Sequence, residues 1–182
     1  LPLAIMLDPQ VPLILTLALD EQATTFFNDL RRQHFPANRN YLDAHLTLFH
    51  HLPGARFEEL AQQLTARSHV QSPLQLHVAG VQFLGQGVAY SVQSPELEAL
   101  HRELQALWLP DLTPQDRQRR RPHVTVQNKV RPDAARALHE QLTAEFVPFE
   151  AVGTGLQLWA YRGGPWEWLR TFAFTAEAQP TS

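Results

Sequence analysis

Apolar residues along this chain fall into short strand-like runs separated by segments with helical spacing, and the two kinds alternate in a regular order. After a proline-punctuated lead, Leu13-Ile14-Leu15-Thr16-Leu17-Ala18-Leu19 reads as a buried strand. Asp20 is a candidate N-cap for a helix over about 21–33, with Phe26, Phe27 and Leu30 as its apolar stripe. Pro36, Asn38 and Asn40 mark a loop that delivers the chain to a short strand, ended by Pro53-Gly54. Phe57, Leu60, Ala61 and Leu64 share one face of a helix predicted over about 56–68. Residues 74–84 and 88–93 then read as two strands joined as a hairpin through Gly85-Gln86-Gly87.

The second half repeats this order. Leu97, Leu100, Leu104 and Leu107 predict a helix over 95–108, with Pro95 at a tolerated first position. A loop rich in arginine leads to another short strand, a helix over about 133–146 follows Pro132, and two strands near 149–161 and 168–176 flank Gly163-Gly164-Pro165. Each half reads helix, strand, helix, hairpin, with little other likeness between them, which is the mark of a cryptic duplication. The expected architecture is α+β: one domain over 1–182 built of two pseudo-symmetric lobes, about 13–93 and 95–176. Mainly antiparallel sheets would line a central cleft, with helices outside. The polar tail beyond about Glu177 reads as frayed.

The two short strands rhyme: His45-Leu46-Thr47-Leu48 and His123-Val124-Thr125-Val126. Side chains of a strand alternate faces, so the His and Thr of each motif project together while Leu46, Leu48, Val124 and Val126 point into a core. Lobes related by a pseudo-twofold axis would bring both motifs to one cleft. Composition narrows the field around them. The chain has 182 residues, 44% of them apolar and 18% charged, which suits a soluble globular fold. A net charge of −3 argues against a generally basic nucleic-acid coat, though not against a local basic cleft. With no cysteine there is no disulfide framework, thiolate zinc site or cysteine nucleophile, which fits a cytoplasmic location. No apolar run approaches the length of a membrane span.

Two imidazoles facing one cleft suit in-line displacement at phosphorus. One takes a proton from the incoming oxygen and the other gives one to the departing oxygen, since histidine reaches both states near its ordinary pKa of about 6.5. Threonine hydroxyls roughly 6–7 Å away at Cβ can donate to the non-bridging oxygens. This scheme needs no metal and no cofactor. Arg117, Arg119, Arg120 and Arg121 form a basic run that reads either as a solvated loop or as a guide for a polyanion entering the cleft. Phe49, one residue past the first motif, and Tyr161 with Arg162 at the last hairpin tip are candidates to stack on a nucleobase, with core packing or loop anchoring the commoner role for each taken alone. Trp159, Trp166 and Trp168 read as packing of that hairpin. His50 and His51 rim the first motif, and His34, His69, His77, His101 and His139 read as surface or capping residues.

The paired H-L-T-L and H-V-T-V motifs within a duplicated α+β chain resemble the two-histidine (2H) phosphoesterase superfamily. The nearest branch is the bacterial 2′-5′ RNA ligases and RNA 2′,3′-cyclic phosphodiesterases. The resemblance implies a metal-independent enzyme opening 2′,3′-cyclic phosphates of RNA ends or nucleotides to 2′-phosphates, with reversible 2′-5′ RNA ligation as a companion activity. It makes His45 and His123 the acid/base pair, with His45 the acid, and Thr47 and Thr125 the phosphate-binding hydroxyls. Relatives often carry an arginine shortly after the second motif; here Gln127-Asn128-Lys129 follows. The substrate-binding candidates are therefore Phe49, Arg121, Lys129, Tyr161 and Arg162. RNA ends or cyclic nucleotides are the expected partners, with no membrane and no obligate protein partner. Two rivals stay open: a phosphoesterase for another cyclic phosphate, and an RNA-end-binding module without turnover.

Overall fold

The computed structural model describes residues 7–178. The first six residues of the proline-punctuated lead and the last four of the polar tail lie outside them. Seven strands and four α-helices alternate as β1 (Leu13–Leu19), α1 (Glu21–His34), β2 (Leu46–Leu52), α2 (Phe57–His69), β3 (Leu74–Phe83) and β4 (Val88–Gln93). The second half continues with α3 (Pro95–Trp108), β5 (His123–Gln127), α4 (Pro132–Glu145), β6 (Phe149–Tyr161) and β7 (Trp166–Ala173). The α+β class with antiparallel pairing is as expected, and element bounds lie within a few residues of the pattern-based ones.

Helix starts follow local chemistry. The Asp20 carboxylate accepts the Ala23 N–H at 2.9 Å and the Val152 N–H of β6 at 2.6 Å, so one residue caps α1 and ties it to the sheet. Ser94 caps α3 by accepting the Leu97 N–H at 3.2 Å, with Pro95 at the first helical position. Alternation along β2 and β5 buries Leu46, Leu48, Val124 and Val126 and leaves His45, Thr47, His123 and Thr125 partly accessible. Burial of each such aliphatic side chain is worth about 1.5–3 kcal/mol.

The strand order is β2-β1-β6-β3-β4-β5, with β7 added to β6, and every pairing is antiparallel. The two sequence halves interleave in this sheet. The first-half hairpin β3–β4 pairs with β5 through β4, and the second-half hairpin β6–β7 pairs with β1 through β6. β6 joins everything: one edge runs along β1, while the other takes β3 at its start and β7 at its end. The motif strands β2 and β5 thus end the order, and they lie against each other. Gly87 permits the close approach at the start of β4, where a Cβ would meet the Gln127 carbonyl oxygen at 2.0 Å.

Candidate active site

The two histidines are held in the same way. His45 Nδ1 lies 2.8 Å from the carbonyl oxygen of Asp43, and His123 Nδ1 lies 2.9 Å from that of Arg121. A carbonyl only accepts, so each Nδ1 carries the proton and each Nε2 is left to exchange one. Burial pushes the His45 pKa down to about 4, and the neighbouring charges of Arg31, His123 and His50 push the same way against the Asp43 hydrogen bond. His45 is therefore neutral at pH 7, and His123 is close enough for its charge to be felt.

Two arginines staple the motif strands across the halves. Arg31 of α1 is only 4% exposed; its NH1 donates to the Thr125 carbonyl of β5 at 2.8 Å and its Nε to Asn40 Oδ1 at 3.1 Å. Burial lowers its pKa to about 10, which still leaves it charged. Arg120, just before β5, donates through NH2 to the Thr47 carbonyl of β2 at 2.9 Å and faces His50 Nδ1 at 3.1 Å. Its loop is anchored by Asp116, 0% exposed, whose carboxylate accepts the N–H groups of His50 and His51 at 2.9 to 3.0 Å.

A cleft of about 610 Å³ opens beside this pair, with His45, Thr125 and Trp166 in its lining. Arg31, Arg39 and Lys129 also line it, without any carboxylate. Such a lining favours an anion. Among the described residues, no three His, Cys, Asp or Glu side chains form a metal-holding group.

The expected binding residues divide. Lys129 and Tyr161 line the cleft, Lys129 with a positive φ of 61° and Tyr161 40% exposed. Arg121 contributes its carbonyl to His123, while its side chain faces a separate depression. Arg162 pairs with Glu167 across the hairpin turn and is absent from the cleft lining. Phe49 is a correction: it is 0% exposed, stacked on His101 at 4.8 Å and edge-on to Trp108 at 5.2 Å, and no base can reach it. The cause is a bulge. The register passes from Thr16↔Thr47 to Leu15↔Phe49, so Leu48 is the extra residue and alternation breaks there, turning Phe49 inward.

Three side chains were missed by pattern reasoning. Arg31 follows Ala23 and Phe27 at four-residue spacing, so an arginine within the buried face of α1 was its available signal. Trp166, assigned to hairpin packing, sits 4.7 Å from the His45 ring and links it to Trp159 at 6.3 Å. Tyr41, in the loop before β2, is 61% exposed on the cleft rim. His101, read as a surface or capping residue, is buried.

A family model described as the 2′-5′ RNA ligase superfamily matches residues 19–165. The chain belongs to that superfamily. A search of curated proteins found no match. Among solved structures, a Thermus thermophilus protein superposes with a TM-score of 0.64 at 14% identity, over 92% of this chain and 100% of its own. E. coli LigT complexed with 3′-AMP superposes with a TM-score of 0.59 at 22% identity, over 93% of this chain and 100% of LigT. A crystal structure described as a phosphoesterase gives 0.57 at 22% identity, over 91% of this chain and 99% of its own. At these identities the likeness is one of fold. It agrees with a 2H phosphoesterase-like enzyme as the general class of this superfamily member. Among the described residues, no helix is long and apolar enough to cross a membrane.

Proposed function

We propose that the cleft opens 2′,3′-cyclic phosphates of RNA ends or nucleotides to 2′-phosphates without a metal, with 2′-5′ ligation as the same ring opening when a 5′-hydroxyl replaces water as the nucleophile. The matched fixing of both imidazoles, Nδ1 on a carbonyl and Nε2 free, is the observation that carries this reading. A buried charge is costly, and burial keeps His45 neutral at pH 7, which supports it as the proton acceptor. That reverses the roles implied by resemblance. In this scheme water attacks phosphorus and loses a proton to His45. The bond from phosphorus to the 3′ oxygen breaks, and His123 supplies that oxygen with a proton. The Thr47 and Thr125 hydroxyls donate to the non-bridging oxygens, and Arg31 and Lys129 supply positive charge on the Thr125 side.

The test uses phosphorus NMR of the product from a 2′,3′-cyclic mononucleotide, with authentic 2′- and 3′-monophosphates as standards. A dominant 2′-phosphate, formed equally well in EDTA, is expected; a dominant 3′-phosphate or no turnover refutes the proposal. His45→Ala and His123→Ala should each lower kcat by about 10²–10⁴-fold with the fold retained. A simple RNA-end binder would instead bind and release the cyclic phosphate unchanged.

A further inference from the structure

A second cavity, of about 410 Å³, lies between α3 and the 117–122 loop, beside the edge of β2 that faces away from β1. Leu48, Leu97 and Pro122 give it an apolar floor. Arg102, Arg117, Arg119 and Arg120 wall it against a single carboxylate, Glu98, which Arg119 approaches only to 3.5 Å. Two polar atoms buried here have no partner: Nε2 of His101, a residue 5% exposed, and Nε of Arg120. Unpartnered buried polar atoms are uncommon because each costs free energy until something pairs with it.

Their chemistry constrains the ligand. The Leu48 carbonyl lies against the His101 ring, and a ring nitrogen that donates there leaves Nε2 as the acceptor for a hydroxyl or amino donor. Arg120 Nε–H needs an acceptor, and the surrounding guanidinium groups favour a phosphate. A ligand offering a donor, an apolar face and a phosphate is a nucleotide. Thr47 of the first motif lines this cavity, as Thr125 of the second lines the catalytic cleft, so the cavity reaches a residue assigned to the reacting phosphate.

We propose that this arginine-walled cavity binds the nucleotide adjoining the reacting phosphate in an RNA strand. The proposal rests on the cyclic-phosphate reading above and extends it from mononucleotides to RNA ends. The base lies on the apolar floor, a ribose hydroxyl or base amine meets His101, and the next phosphate sits among the arginines.

The test compares a 2′,3′-cyclic mononucleotide with a tetraribonucleotide ending in a 2′,3′-cyclic phosphate. The double variant Arg102→Gln/Arg119→Gln should lose about 10-fold or more in kcat/KM on the tetramer, mostly in KM, and flatten its salt dependence. Mononucleotide turnover should not change. Equal loss on both substrates, or loss on neither, overturns the proposal. A binding arm separates it from the activity itself: a fluorescent tetraribonucleotide with a terminal 2′-phosphate is titrated by anisotropy against His45→Ala protein with and without the double change. Weaker binding in the double variant supports the subsite even if no cyclic phosphate is turned over, and unchanged binding refutes it. Inorganic phosphate and a free mononucleotide serve as competitors. If either displaces the tetramer at equal concentration, the cavity is a site for a free anion or nucleotide and the strand proposal fails.

Discussion

Replacing Asp116 by asparagine tests how the arginine loop is held against the first motif strand. Burial alone would raise this carboxyl's pKa, but hydrogen bonds from the His50 side chain and the His50 and His51 N–H groups more than offset that. The net value lies below the ordinary carboxylate range. An asparagine keeps one acceptor and turns its NH₂ group toward a backbone N–H. Hydrogen bonds to a charged group are worth about 1.5–3 kcal/mol, and a buried donor left unpaired costs about 1–3 kcal/mol. Asp116→Asn should therefore destabilise the fold by about 2–4 kcal/mol at pH 7, against a total typically near 5–15 kcal/mol. Urea unfolding followed by circular dichroism reads this as a lower midpoint at unchanged slope. The sign with pH is fixed as well. A depressed carboxyl pKa stabilises above the unfolded value of about 3.9, and that stabilisation is lost as pH falls through the folded value. The gap between the two proteins should then narrow below about pH 4. A difference under about 0.5 kcal/mol at pH 7, or one undiminished in acid, would refute the argument.

Phe49→Ala should cost about 3–5 kcal/mol in denaturant unfolding, with KM for a cyclic mononucleotide unchanged in the folded fraction, because this ring packs on His101 and Trp108 and meets no ligand. A ring-nitrogen NMR titration should place His45 at about 4, and a midpoint of 6 or above contradicts its burial. Because its folded value lies below the unfolded 6.5, neutral His45 favours folding above that pH, and up to about 3 kcal/mol is lost as pH falls through 4. His45→Gln should remove that part of the acid sensitivity. Arg31→Met takes away a charge that lowers the His45 pKa and the donor on the Thr125 carbonyl. The His45 midpoint should rise while kcat/KM falls by about 10–10²-fold, and an unmoved midpoint would show that the charge is not felt.

The motif pairs were legible because two-residue spacing on a strand is local geometry that survives any tertiary arrangement. His45 with Thr47, and His123 with Thr125, needed only the pleat. Phe49 was misread for the same reason. It stands two residues beyond Thr47, and only the pairing partner β1 reveals the bulge that turns it inward. The arginines illustrate a different boundary. Arg120 stood in a visible basic run, yet its bond to the Thr47 carbonyl joins residues far apart in sequence. Arg31 acts on Thr125 over a still longer separation. Helix starts followed from local signals such as Asp20 and Pro95, whereas the exchange of hairpins between halves left no local trace. Both β4 and β6 have ordinary strand patterns, and nothing in an alternating run names the neighbour it will pair with.

The reach of β6 has a consequence for how the molecule is made. Strands β1 and β3 both wait for this one segment, and it leaves the ribosome after both of them. Until then a nascent chain holding the β1–β2 pair and the β3–β4 hairpin presents two unpaired strand edges at once, the situation most open to pairing with a neighbouring polypeptide. When residues 149–161 emerge, they occupy both edges in a single step and draw the second histidine strand into place with the first. A truncated product ending at α4 would thus lack more than one hairpin. It would be a sticky intermediate, and a supplied peptide spanning β6 and β7 is the natural reagent to rescue it.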